Sequence, residues 1–253
     1  MTELIQQTLA RIEAEEEIRI LYAVESGSRA WGFPSPDSDY DVRFIYVRKP
    51  EYYLKLEKTR DVVELPINDL LDVNGWDLNK TLRLLQNSNP TLFEWMSSPI
   101  VYRSTDFIRQ IQPELKRCFS CKSSLHHYLS TARNTYRHQL QGDTVRAKKY
   151  FYALRPVLAC KWILEYQSQP PMLFSELVEA CLEPELKGEV ERLLDLKMNA
   201  PEIREIPPVE PIHRYLEENL ASLEAQIAAC PAAPAPDWEP LNRLFLEVLG
   251  LEL

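Results

Sequence analysis

The segment 18–47, IRILYAVESGSRAWGFPSPDSDYDVRFIYV, decides how the chain is read. Its two apolar runs, Ile18 to Val24 and Val42 to Val47, have the length and β-branched content of buried strands, and a turn-rich stretch joins them. Side chains at i and i+2 of a strand share a face, so Asp39 and Asp41 hold two carboxylates side by side. Such a pair repels itself unless a cation lies between, and hard oxygen ligands suit Mg²⁺ or Mn²⁺. Gly27 lets the backbone approach a ligand closely, and its N–H with the Ser28 hydroxyl offers donors to a phosphate. Ser-Asp and Asp-Tyr-Asp are also ordinary turn sequences, so each half is weak alone and the ordered combination between two strands carries the weight.

Working outward, residues 2–17 place Leu4, Ile5, Leu9 and Ile12 on one helical face. After the aspartates come a short helix near Tyr52–Leu56, strands over Asp61–Ile67 and Leu70–Trp76, and a helix with Leu78, Leu82 and Leu85 on one side. Asn89-Pro90 supplies a cap and a preorganised first turn for the next helix, through Trp95. Beyond Ser104 strand signals fade, and helices are expected at about 105–118, 121–141, 144–167, 210–228 and 238–249. Pro156 is expected to kink the third of these, and CPAAPAP at 230–236 reads as an extended linker. The expectation is an α+β chain with a mixed sheet and flanking helices over 1–103 and an all-helical domain over 104–253.

A net charge of −9 argues against non-specific coating of nucleic acid. Between Lys116 and Lys161, however, ten Lys or Arg residues face one acid, Asp143, so that segment carries about +9 and the rest about −18. A basic helical region in an acidic chain suggests anion binding, against the plainer reading of solvated helix faces. Five cysteines form an odd set without a secretory signal, which points to reduced thiols in the cytoplasm. Cys118 and Cys121 are spaced as a redox pair or half a zinc site, but no second pair completes one. No apolar run reaches the roughly 18 residues that span a membrane.

Gly27, Ser28, Asp39 and Asp41 match the hydrophobic-G-[GS]…[DE]-x-[DE] signature of the DNA polymerase β-like nucleotidyltransferase superfamily. GSRAWGFPSPDSDYDVRFIYV, DVNGWDLNKTLRLLQNSNPTLFEWMSSPIVY and KKYFYALRPVLACKWI more narrowly resemble its bacterial branch of predicted nucleotidyltransferases proposed to act in RNA repair, over residues 18 to at least 165. The resemblance implies transfer of a nucleoside monophosphate from an NTP to a hydroxyl, an RNA end being the expected acceptor, with Mg²⁺ or Mn²⁺ as cofactor. Asp39 and Asp41 would hold both metals, and a third carboxylate should come from a neighbouring strand. Asp72 is preferred because it stands at the front of its strand, where the family's third carboxylate usually lies. Asp77 stands where a helix begins and could be its cap, and Glu64 is a further candidate on the preceding strand.

Gly27, Ser28 and Arg29 are the expected phosphate contacts, and Ser38 is expected to orient Asp39. Lys149, Tyr152 and Arg155 recur at i, i+3 and i+6 on roughly one helical face, which the resemblance suggests for nucleotide binding; Lys148 lies about 100° away. Trp31 and Phe33 read as core rather than base-stacking residues. Arg133-Asn134-x-x-x-His138 matches a short pattern of the helical RNases often partnered with minimal nucleotidyltransferases, but a basic helix produces such a pattern readily, and surface charge or RNA contact is the stronger reading. His126 and His127 read as helix-surface residues. Other readings stay open: nucleotidylation of a protein side chain, or a silent NTP- or RNA-binding module.

Overall fold

The computed structural model describes residues 1–66, 70–199, 205–231 and 234–251. By their internal contacts they form two compact units, one of 1–27, 39–119 and 234 onward, the other of 28–38 and 120–233.

The first unit is built on a five-stranded mixed sheet. Its strands are β1 (Arg19–Glu25), β2 (Tyr40–Val47), β3 (Val62–Glu64), β4 (Leu71–Asp77) and β5 (Val101–Ser104), in the order β3-β4-β2-β1-β5. The β1–β2, β1–β5 and β3–β4 pairs are antiparallel, whereas β2 and β4 run parallel. Their crossover contains α3 (Pro50–Tyr53) and β3. Both faces of β2 are buried, by alternation. Val42, Phe44 and Tyr46 join Ile5, Leu9 and Ile12 of α1 (Thr2–Glu16), while Ile45 and Val47 join a larger cluster on the other side.

That larger cluster takes in Leu78, Leu82 and Leu85 of α4 (Leu78–Gln86), and Leu92, Phe93 and Trp95 of α5 (Pro90–Met96). The Asn89 side chain accepts from Leu92 N at 3.2 Å, the expected cap. It also takes in Phe107, Ile111 and Cys118 of α6 (Phe107–Cys118), and Leu241 and Leu244 of α12 (Glu239–Leu249). Burial of these two apolar faces explains why the unit extends to residue 119 and regains the carboxyl-terminal helix, instead of ending at 103 as the sequence suggests.

The second unit is helical: α7 (Cys121–Gln139), α8 (Ala147–Tyr166), α9 (Phe174–Cys181), α10 (Pro184–Met198) and α11 (Glu210–Ala229), with a two-residue pairing of β6 (Val145–Arg146) and β7 (Glu205–Ile206). Helix α8 is buried nearly all round, from Tyr150 through Ile163, as its weak amphipathicity requires of a central helix. Pro156 is accommodated inside it. Helices α9 and α10 and strand β5 were not anticipated from the sequence. Ile67 and residues 232–233 of the expected linker lie outside the described residues. No helix among the described residues is long and apolar enough to cross a membrane.

The β2–β4 pairing sets Phe44 opposite Gly75, where a Cβ would stand 2.1 Å from the Phe44 ring. Gly75→Ala should therefore cost about 1–3 kcal/mol of stability in urea unfolding. Combined with Phe44→Leu it should cost clearly less than the sum of the two single changes.

Candidate active site

In the first unit the parallel register places Asp41 directly opposite Asp72. Arg43 follows Asp41 by two residues on the same face of β2, and its guanidinium closes the gap. Its Nη2 donates to Asp41 Oδ1 at 2.8 Å and to Asp72 Oδ2 at 2.7 Å, while Nη1 donates to the Asp72 carbonyl at 2.9 Å. The side chains are largely buried, at 22% exposure for Asp41, 26% for Asp72 and 16% for Arg43.

A further acid lies beside this pair. Glu25, fully buried at the end of β1, accepts from Asp41 N at 2.8 Å through Oε1 and from the Tyr102 hydroxyl through Oε2. Burial first pushes the Asp41 carboxyl up to about 6; Arg43 opposes this, and the charges of Asp39, Asp72 and Glu25 add to it. Gly27 adopts φ +59°, and a Cβ on it would stand 2.0 Å from Asp41 Oδ2. Both the left-handed backbone and the close approach therefore demand glycine.

A divalent cation fits this donor set. The carboxylates are hard oxygen ligands, Asp41 and Asp72 each engage Arg43 through one oxygen only, and the cluster already draws a guanidinium into its negative field. Among the described residues no three His, Cys, Asp or Glu side chains stand in a ready-made metal arrangement. Asp39, immediately before β2, is placed by the structure near enough to bear on the Asp41 carboxyl.

The two other acids considered for the third position have different partners. Asp77 caps α4: Oδ1 accepts from Asn79 N at 2.8 Å, Oδ2 from the Tyr53 hydroxyl at 2.8 Å, and burial pushes its carboxyl up to about 6. Glu64 accepts from Asn74 Nδ2 at 2.7 Å. Alternation along β4 separates Asp72 from Asp77, as the sequence implies.

Ser28 to Ser38 belong to the second unit, so its boundary falls between Gly27 and Ser28, inside the single-turn helix α2 (Gly27–Ala30). Ser28 Oγ donates to Ser38 Oγ at 3.2 Å, Ser35 N donates to the same oxygen at 3.0 Å, and Arg29 Nη2 donates to the Ser38 carbonyl at 2.7 Å. Phe33 packs on Phe151 and Phe174 with ring centroids 5.0 and 5.3 Å away. Lys197, on α10, is 3% exposed; its Nζ donates to the Phe33 carbonyl at 2.9 Å and to Ser35 Oγ at 3.3 Å. Sequence reasoning missed Lys197, because nothing in α10 announces a lysine that faces inward.

Lys149, Tyr152 and Arg155 do share a face, and Trp31 completes it. Lys149 Nζ lies 5.3 Å from the Tyr152 ring, Tyr152 meets Trp31 edge-on at 5.3 Å, and the Arg155 guanidinium lies 4.8 Å from the Trp31 ring. Arg155 is 3% exposed and donates to Met172 Sδ at 3.6 Å, so its place is inside the second unit. Three more cations of the basic segment have acidic partners: Arg117 with Glu114, Arg133 with Glu224 and Lys161 with Glu183. Arg133 therefore serves a helix–helix ion pair, while His138 is exposed. The five cysteines are free thiols.

The folded Asp41 carboxyl holds its proton to higher pH than in the unfolded chain, so it takes stability away as pH rises from 3.8 to about 6. Without divalent cations, Asp41→Asn should gain stability over the native chain across that window, by roughly 1–2 kcal/mol. Urea unfolding between pH 4 and 7 reads this. A gain that shrinks with pH would mean that the Arg43 ion pair outweighs burial.

A crystal structure of a nucleotidyltransferase-like protein from Exiguobacterium sibiricum aligns over 96% of this chain and 79% of its own, at 15% identity and a TM-score of 0.32. The uncharacterized protein YcgL of Bacillus subtilis is 46% identical over 254 residues, spanning 98% of this chain and 96% of that protein. The model of the RNA repair pathway DNA polymerase beta family matches residues 1–247. With the match running through the sheet and the helices alike, the chain belongs to the RNA repair pathway DNA polymerase beta family.

Proposed function

We propose that the protein is a metal-dependent nucleotidyltransferase that moves a nucleoside monophosphate from an NTP to a hydroxyl at an RNA end. The observation that carries this reading is the Asp41–Asp72 register, with Gly27 pressed against Asp41 Oδ2. Family membership supports the reaction class and the RNA context.

Asp39, Asp41 and Asp72 would hold Mg²⁺ or Mn²⁺. When bound, the metal would lower the pKa of the acceptor hydroxyl and neutralise the triphosphate. Arg43 keeps the Asp41 and Asp72 carboxylates oriented through one oxygen of each, leaving the second oxygens as ligands. Glu25 fixes the backbone of Asp41. Gly27 and Ser28 are assigned to the phosphates, together with Arg29. Lys149 and Tyr152 stay nucleotide-binding candidates on their chemistry. Arg155, buried beneath Trp31, is assigned to holding that ring instead of a phosphate.

The test is incubation with each labelled NTP, Mg²⁺ or Mn²⁺, and a panel of RNA ends and cell proteins. Label should appear on RNA and fall by about 100-fold or more in Asp39→Asn and Asp41→Asn. Transfer that survives both substitutions would sink the mechanism, and label on protein would replace the acceptor. Asp72→Asn should lower turnover and raise the metal concentration required. Asp77→Ala should instead cost about 1 kcal/mol of stability in thermal unfolding while the folded fraction keeps its turnover.

A further inference from the structure

Helices α4 and α12 of the first unit leave between them a groove of about 460 Å³ that no step of the proposed reaction uses. Its floor is apolar: Leu82 and Leu241 are both buried there, with Phe245 beside them. Its rim is not. Asn79 and Arg83 follow one another by a turn of α4, and Asn242 stands a turn beyond Trp238 on α12.

Trp238 is 44% exposed at the start of α12, and among the described residues its ring meets no aromatic or cationic partner. An indole is a large apolar surface to leave in water, and a flat face beside an open groove is a stacking platform. Among the described residues neither the Asn79 nor the Asn242 carboxamide makes a hydrogen bond, so each presents a donor and an acceptor together. Arg83 is exposed and has no carboxylate at ion-pair distance among the described residues, unlike Arg117 of α6, which holds Glu114. A flat ring, carboxamide edges and one unpaired guanidinium correspond to the three parts of a nucleotide: base face, base edge and phosphate.

We propose that this groove binds an unpaired nucleotide of single-stranded RNA. The base stacks on Trp238, its edge meets the Asn79 and Asn242 carboxamides, and its phosphate pairs with Arg83. The assignment rests on the reading that the acceptor is RNA, and it places an RNA contact on the first unit. A peptide could also meet the carboxamides with its backbone and the guanidinium with a carboxylate; the exposed flat indole beside them is what favours a base.

The experiment measures binding of short labelled oligoadenylate and oligouridylate by fluorescence anisotropy, with the full chain and no NTP. Trp238→Ala and Arg83→Ala, both at exposed side chains, should each weaken binding about 10-fold or more, and Trp238→Phe should restore most of the loss. Circular dichroism verifies that each variant is folded. RNA affinity unchanged in Trp238→Ala and Arg83→Ala would overturn the proposal. So would competition by ATP alone with the same dependence on Trp238, since the groove would then be a mononucleotide site. Protection of Trp238 by a protein and not by RNA would also overturn it. Trp238-dependent RNA binding with label transferred only to protein would sink the transfer reading and leave the groove standing.

Discussion

The parallel pairing of β2 with β4 is the constraint on which the candidate site depends. Its register brings Asp41 and Asp72 to neighbouring positions on one face, and the same register sets Phe44 against Gly75 on the other. A shift of one residue would turn every side chain of one strand to the wrong face. The carboxylate pair and the packing of the core are therefore secured by one set of backbone hydrogen bonds. Because the ring of Phe44 fills the place of a Cβ at residue 75, the core itself selects the register that assembles the acids.

Gathering the acids works against stability. Asp41 lies within reach of the charges of Asp39, Asp72 and Glu25 and is largely buried, so its ionised form is disfavoured despite the adjacent Arg43. Arg43 supplies one positive charge where the cluster carries more negative charge than it can balance. Arrangements of this kind persist where a ligand settles the imbalance, and a divalent cation is the ligand this chemistry suits. Glu25 extends the arrangement inward, since a buried carboxylate that grips the backbone N–H of Asp41 holds that residue from behind.

The signature motif is divided between the two compact units. Gly27, Asp39 and Asp41 belong to the unit of the sheet, while Ser28 and Arg29 belong to the helical one, with the rest of the loop through Ser38. Within the helical unit that loop is anchored twice. Phe33 sits among Phe151 and Phe174, and Lys197 holds the Phe33 carbonyl and Ser35 Oγ. The helices therefore do more than follow the sheet in sequence, because they fix the conformation of the segment that links the glycine to the aspartates.

Sequence alone determined the elements whose pattern is local. The apolar runs of β1 and β2, the 3.6-residue faces of α1 and α4, the Asn89-Pro90 start of α5 and the i, i+2 spacing of Asp39 and Asp41 follow from periodicity and turn chemistry along a short stretch. The superfamily was legible for the same reason, its signature lying within a single strand–turn–strand. Only the tertiary structure gave Asp72 and Asp77 their different surroundings. One is drawn to Asp41 by pairing between strands far apart in sequence, the other is spent on the cap of α4. It also decided that α6 and α12 close the sheet, that Lys197 and Arg155 turn inward, and that Trp238 remains in the open. These depend on which apolar surfaces find each other across the chain, a long-range burial that no window of neighbouring residues encodes.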